Sequence, residues 1–427
     1  MTQVITLPKK KKKHSRSLFY RIAAWLHLWL GLITGIIVIN ICITGCIWVF
    51  NDEITAMLDP GMNVPWQDKP VITPSQIAAL AQQNVPGKKL NSVSYQQGEA
   101  ATVTFGEGRK TNAQLRIDPY TGQVLRKKEF KEGEVDFFRF ILNGHRFLWL
   151  PHEIGRPIVN YSVLGFVIIL LCGLVLWWPK KWNKSTRKKS FTINWGATKK
   201  RVNYDMHNVF GFYAMLFLLA IALTGMVWGI EWYSKGLYWV TSAGTSLPER
   251  PKLKSDSLQA NRFFSPGQAM DGAWQKVIEK HPDAKGFFYS FPDTSKASST
   301  IGITIYPSKG QFYNSRSYAF DRYTLKELKR DKYFSASFKE ANGATKLRRM
   351  NYDIHVGSIL GLPGKFLAFF ASLIGASLPI TGFIIWWGKK RKKGKKTVPV
   401  KKNTPMQLHQ STVREVEAAI AISSLTD

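Results

Sequence analysis

Of the eight histidines, four fall into a pattern. His27, His145, His207 and His355 each stand beside or inside a long apolar run, whereas His14, His152, His281 and His409 have no counterpart elsewhere in the chain. Ionisable residues in apolar helices are costly and usually functional. Two imidazoles presented by different helices can fill both axial positions of one haem iron. Gly31 and Gly211 follow His27 and His207 by four residues, on the same helix face, and would leave room for a flat macrocycle. Arginines stand near each pair: Arg21 and Arg201 by one, Arg146, Arg348 and Arg349 by the other. They are expected to hold propionates through charge-assisted hydrogen bonds. Zinc or non-haem iron is the rival, but it needs three or four clustered ligands. The runs hold no carboxylate; Glu231 and Asp353 lie near their boundaries, and Asp205 precedes His207 by two.

The elements that must position these residues are the runs themselves. Ile22 to Phe50, Pro157 to Trp178, Val209 to Ile230 and Phe366 to Gly388 hold no Asp, Glu, Lys or Arg. Each reaches the roughly 20 residues that cross a bilayer core. Tryptophans such as Trp25, Trp48, Trp177, Trp228 and Trp386 stand near the expected boundaries, where amphipathic rings favour the headgroup level.

The net charge of +32 first suggests nucleic acid, but its distribution points elsewhere. Much of the excess lies in Lys9 to Arg21, Lys180 to Arg201 and Lys389 to Lys402, and four crossings put all three blocks on one face. The positive-inside bias makes that face cytoplasmic, with contact to anionic lipid and no nucleic acid as partner. The first run is too long for a signal peptide and ends Ile47-Trp48-Val49-Phe50, without small residues for cleavage. Both termini are thus expected inside, with His27 and His207 near the inner face and His145 and His355 near the outer one. Pro151 and Pro157 separate His145 from its run, and Pro363-Gly364-Lys365 separates His355 from its own.

The three cysteines, Cys42, Cys46 and Cys172, all lie within the runs and read as packing residues. No Cys-x-x-Cys-His occurs, which excludes covalent c-type attachment. The cofactor expectation is therefore two non-covalent b-type haems.

The chain also reads as a duplication. At an offset of 180, His27 meets His207, Gly31 meets Gly211, Thr44-Gly45 meets Thr224-Gly225 and Trp48 meets Trp228. Gly173 to Trp178 likewise matches Gly382 to Trp387. Asp118-Pro119-Tyr120-Thr121-Gly122 is echoed by Asp321-Arg322-Tyr323-Thr324, each after a strand-like stretch, Ala113 to Ile117 and Tyr318 to Phe320. Arg322 and Leu325 replace Pro and Gly in the second copy, so that turn is expected to differ. Short helices precede, one capped by Ser75 and one opened by Ser265-Pro266.

The expected organisation is a basic N-terminus (1–21), a first span (22–50), an outer domain (51–150) and a second span (151–178). A basic loop (179–206), a third span (207–232), a second outer domain (233–354), a fourth span with its interfacial lead (355–388) and a basic tail (389–427) follow. The fold class is a duplicated membrane α-helical bundle of four transmembrane helices with two small α+β domains outside.

Over about 16–393 these motifs resemble the PepSY-associated transmembrane helix family, bacterial inner-membrane proteins. The resemblance rests on His27 with Gly31, Thr44-Gly45, Asp118 to Gly122, His145-Arg146, Gly155-Arg156, His207 with Thr224-Gly225, and His355-Val356-Gly357 through Gly361 to Gly364, Thr381-Gly382 and Trp386-Trp387. It implies that the outer domains are PepSY-like and periplasmic. It also implies a di-haem oxidoreductase that reduces ferric siderophores or other ferric chelates in iron uptake. His152 departs from the pattern and competes with His145 as ligand. Two other readings stand against the reductase. A PepSY-domain sensor, or protease-inhibitor-like regulator, would use the helices only as anchors, which need no paired imidazoles. A transporter would favour inverted repeats, and this duplication is parallel. No Gly-x-Gly-x-x-Gly follows a strand, so a quinol or a separate reductase is the expected electron donor.

Overall fold

The computed structural model describes residues 16–394 apart from 108–109, 261–262 and 330. The N-terminus to residue 15 and the tail beyond 394, with His14 and His409, lie outside the described residues. The chain divides into two units, Met1–Phe383 and Ile384–Asp427. Both histidine pairs and the whole sheet belong to the first. In the second, the Trp386 and Trp387 rings stand 6.0 Å apart and Lys390 lies over Trp386.

In chain order the helices are α1 (Leu18–Val49), α2 (Asn51–Leu58), α3 (Pro74–Asn84), α4 (Phe137–Phe147), α5 (His152–Trp177) and α6 (Lys184–Phe191). They continue with α7 (Lys199–Gly229), α8 (Glu231–Thr241), α9 (Pro266–Lys280), α10 (Lys332–Ser335), α11 (Gly343–His355) and α12 (Gly361–Gly394). The strands are β1 (Leu90–Gln96), β2 (Ala101–Glu107), β3 (Lys110–Ile117), β4 (Val124–Glu129), β5 (Gly286–Ser290), β6 (Thr300–Tyr306) and β7 (Arg316–Asp321).

Helices α1, α5, α7 and α12 are long and apolar enough to cross a membrane. Each begins before its uncharged run, so the lead-in residues are helical too. Pro157 does not break α5 but lies inside it; so near the helix start it removes a single intrahelical bond. Pro363 falls in the first turn of α12. The break after His355 is made instead by Gly357 and Gly361, both at positive φ. Gly357 packs directly on the backbone of Gly364, where a Cβ would overlap the carbonyl oxygen. Lys365 is buried and paired with Glu53 at 2.7 Å.

The segments between the spans build one seven-stranded antiparallel sheet in the order β4-β3-β2-β1-β5-β6-β7. Two small outer domains were expected, one from each segment. The structure joins the two segments edge to edge, β1 on β5, with Val93 opposite Tyr289. Pairing removes an exposed edge from each half-sheet. One hydrophobic core serves both halves: Val93, Phe105, Leu115 and Tyr289 from the strands pack under Ile77 of α3 and Val277 of α9. Asp271 of α9 ties the helices together by accepting from Ser75 N (2.9 Å) and Thr73 Oγ1 (3.1 Å). Helix α3 is capped by Thr73 in a capping box with Gln76, not by Ser75, because Pro74 occupies the first helical position. Helix α9 opens at Ser265-Pro266 in the same way.

The two Asp turns are alike despite their sequences. Asp118 Oδ1 accepts from the N–H groups of Tyr120 (2.8 Å) and Thr121 (3.1 Å), and Asp321 Oδ1 from those of Tyr323 (2.8 Å) and Thr324 (2.9 Å). Gly122 has φ +76 and Leu325 adopts the same region at φ 57. The expected difference does not occur. Leucine tolerates the left-handed conformation here because its side chain is buried in the sheet core.

Candidate functional site

The four histidines singled out in the sequence form two pairs at opposite ends of the bundle. His27 lies on α1 and His207 on α7, toward the end closed by α6 and its flanking loops. His145 is in the last turn of α4 and His355 is the last residue of α11, at the end that carries the sheet. Local sequence fixes both short helices. Helix α4 ends on Leu148 and Trp149, both at positive φ, and Trp149 folds back so that its indole N–H donates to Phe140 O (2.9 Å). The α4–α5 crossing is tight enough that a Cβ on Gly155 would overlap the Phe147 carbonyl. Asn40 Nδ2 donates to Gly144 O (2.9 Å) and Asn351 Nδ2 to Thr224 O (3.1 Å), which pins α4 to α1 and α11 to α7. Buried Asp353, two residues before His355, accepts from Phe312 N (3.1 Å) and Ser358 Oγ (2.6 Å).

Each imidazole rests in a cradle on a neighbouring spanning helix. A Cβ on the facing glycine would meet the ring Cε1 at 3.4 Å for Gly45 on His145 and at 3.2 Å for Gly173 on His27, Gly382 on His207 and Gly225 on His355. Nδ1 meets the helix backbone or a hydroxyl beside that glycine. His145 Nδ1 lies 2.9 Å from Ile41 O and 3.2 Å from Thr44 Oγ1. His355 Nδ1 lies 2.9 Å from Ile221 O and 3.0 Å from Thr224 Oγ1. His207 Nδ1 lies 2.9 Å from Thr381 Oγ1, and His27 Nδ1 3.0 Å from Ile169 O.

These contacts fix the tautomer. Carbonyl oxygens only accept. Each threonine hydroxyl donates back to its own helix, as Thr224 does to Ala220 O at 2.7 Å, so it too presents a lone pair to the ring. Nδ1 is therefore the protonated nitrogen and Nε2 the one free to bind a metal.

The ring centroids stand 6.1 Å apart for His27–His207 and 6.2 Å for His145–His355, with the planes nearly perpendicular. A metal–imidazole bond is about 2.0 Å and a ring nitrogen lies about 1.1 Å from its centroid, so one metal between two facing rings needs about 6.2 Å. Both pairs have that spacing. Among the described residues no group of three or more His, Cys, Asp or Glu forms, fewer ligands than zinc takes. The two sites fit a group that brings its own equatorial ligands.

Space accompanies the His145–His355 pair, whereas neither His27 nor His207 lines the cleft at the other end of the bundle. A cavity of about 340 Å³ contains His145 and His355, flanked by Trp48 and Trp228, and its charged side chains are Arg146 and Arg156. A cleft of about 860 Å³ at the other end is lined by Arg16, Tyr20, Lys180, Lys189, Arg201 and Tyr204. Arg201 also pairs at 2.8 Å with Asp205, which is fully buried.

Several expected site residues fall elsewhere. Arg349 donates to the carbonyls of Tyr313 (3.1 Å), Ala336 (3.0 Å) and Ser315, and Arg348 donates to Ser234 Oγ (2.8 Å). Both brace α11 and neither lines the cavity. Arg21 does not line the cleft. Gly31 has nothing within 4 Å of a Cβ and so borders open space, whereas a Cβ on Gly211 would meet Leu378 at 3.5 Å. His152 is not in the sheet-side pair: it packs on Phe147 and meets the Arg156 guanidinium at 3.1 Å. Arg156 was missed as a site residue; its signal was the Gly155-Arg156 motif. The cradle glycines Gly45, Gly173, Gly225 and Gly382 were visible only as aligned positions.

The family profile described as PepSY-associated TM region matches residues 24–389. No curated protein matches the chain.

Proposed function

The chain belongs to the PepSY-associated TM region family, and from that premise we propose that it is a di-haem oxidoreductase of the bacterial inner membrane that reduces ferric chelates, siderophore complexes among them, on the periplasmic side. The observation that carries the reading is the spacing of the two imidazole pairs, 6.1 and 6.2 Å, with every Nδ1 engaged. His27 with His207, and His145 with His355, would each hold one b-type haem. When bound, such a group would supply one-electron exchange.

The protein's own contribution is to hold and orient. The glycine cradles keep the rings apart by one macrocycle, and the carbonyls and threonine hydroxyls keep Nε2 unprotonated. Arg146 and Arg156 on one side, and Arg16 and Arg201 on the other, offer positive charge for propionates. The basic flanks support a cytoplasmic His27–His207 end and a periplasmic sheet. The shared cradle geometry of the two halves supports a duplication, with PepSY-like α+β units fused through β1 and β5. A sensor or protease inhibitor that used the helices only as anchors has no need of four matched cradles.

The substrate would be a ferric chelate that accepts one electron. Hard oxygen donors hold Fe(II) less tightly than Fe(III), so the metal is released. A quinol or a separate reductase would deliver the electrons. The test is a pyridine haemochrome assay of purified protein, expected to give two b-type haems per chain. Folded protein without haem would overturn the reading.

A further inference from the structure

The four cradles share one pattern with a single exception. Thr44, Thr224 and Thr381 each stand immediately before the cradle glycine, and their hydroxyls lie 3.2, 3.0 and 2.9 Å from the facing Nδ1. Before Gly173 the residue is Cys172. The described hydrogen bond at Nδ1 of His27 is to the Ile169 carbonyl, at 3.0 Å. Three imidazoles thus meet a threonine lone pair that the fourth lacks. Cys172 forms no disulfide, and a thiol is a weak acceptor.

We propose that Cys172 is a tuning residue of the His27–His207 pair: by withholding a hydroxyl acceptor from His27 Nδ1, it makes His27 a weaker donor and holds the haem of that pair at a higher reduction potential than threonine would. The inference rests on the di-haem reading. An acceptor at Nδ1–H raises the basicity of a metal-bound imidazole. A more basic axial ligand favours the ferric state, and hydrogen bonding around the ligands is one of the protein's levers on haem potential. Threonine suits this helix position, because its hydroxyl can donate to the carbonyl three or four residues earlier, as it does from Thr44, Thr224 and Thr381. Its lone pair would then face His27 as in the other cradles. The residue is a positioning residue, acting only through His27.

The experiment is a spectroelectrochemical titration of purified full-length protein, wild type beside Cys172→Thr, Cys172→Ser, Thr381→Val and Thr224→Val, with haem counted in each preparation. Cys172→Thr is expected to lower one of two midpoints and leave the other in place. Thr381→Val should raise that same midpoint, and Thr224→Val the other. Cys172→Ser, a smaller change, repeats the downward shift if the threonine variant folds poorly. A Cys172 variant that keeps two haems and moves neither midpoint, or moves the one that Thr224→Val moves, overturns the proposal while the di-haem reading stands. A wild-type haem count of zero overturns that reading itself, before any potential is read.

Discussion

A Cβ on Gly225 would stand 3.2 Å from Cε1 of His355, whereas one on Gly31 would meet nothing within 4 Å. A valine at 225 must therefore push the ring away, and an alanine at 31 disturbs no neighbour. Gly225→Val is expected to cost one of the two haems and spare the other. Gly31→Ala should retain both. Haem-to-protein ratios of the two variants decide between the cradle glycines and those four residues after the inner histidines.

His145 rather than His152 faces His355. His145→Ala should lose one haem, because its partner cannot hold both faces alone. His152→Ala should keep two and remove only a contact to Arg156. The reverse outcome in the spectra would reassign the sheet-side pair.

What the sequence made legible follows from periodicity and repetition. The uncharged runs gave the spans to within a few turns, since charge has no place in a bilayer core. The offset of 180 paired His27 with His207, and the separate match of the second and fourth runs paired His145 with His355; each pair meets in space. Less legible was anything set by contact across elements. The β1–β5 pairing depends on two edges finding each other over nearly two hundred residues, and no local signal encodes it. Arg348 and Arg349 looked available because nothing in their neighbourhood of sequence shows the loop carbonyls of Tyr313, Ser315 and Ala336. The turn at Leu325 was misjudged because a leucine at positive φ is unfavourable by itself and is held only by burial.

That turn supports a second kind of test. In one half the helix gives Leu80 and the turn Gly122; in the other the helix gives Gly272 and the turn Leu325. A Cβ on Gly122 would come within 2.8 Å of Leu80, and one on Gly272 within 2.7 Å of Leu325. Large faces small in both. Gly272→Leu should destabilise by about 1–3 kcal/mol through overpacking. Leu325→Gly should cost about 2–5 kcal/mol of lost packing, offset by roughly 1 kcal/mol of backbone relief. The double exchange recreates the first half's arrangement and is expected to cost less than the sum. Thermal unfolding of the four proteins in detergent measures the coupling, and strict additivity would contradict the packing.

Arg349 and Arg156 should behave oppositely. Arg349→Gln removes donors from three backbone carbonyls and is expected to cost about 2–4 kcal/mol of stability. Arg156→Gln should change stability little, because its contacts to the Trp228 carbonyl and to His152 are exposed, but should alter the spectrum of the sheet-side haem. Melting temperature and haem spectrum, read together, separate a brace from a cavity residue.

The side on which the substrate reacts is the last matter these positions decide. His145 and His355 sit on short helices outside the long spans, under the sheet, with Arg146 and Arg156 in the cavity beside them. His27 and His207 lie within α1 and α7. A bulky anionic ferric chelate arriving from the sheet side would be drawn by positive charge to the first pair and has no described opening to the second from there. Electrons should therefore leave the protein at the His145–His355 end. Stopped-flow oxidation of dithionite-reduced protein by ferric chelates tests this. Wild type should reoxidise completely. Gly225→Val, with the sheet-side haem missing, should reoxidise at least tenfold more slowly, whereas Gly173→Val, which disturbs His27, should keep a fast phase of about half the amplitude. Equal rates for wild type and Gly225→Val would place the exit elsewhere.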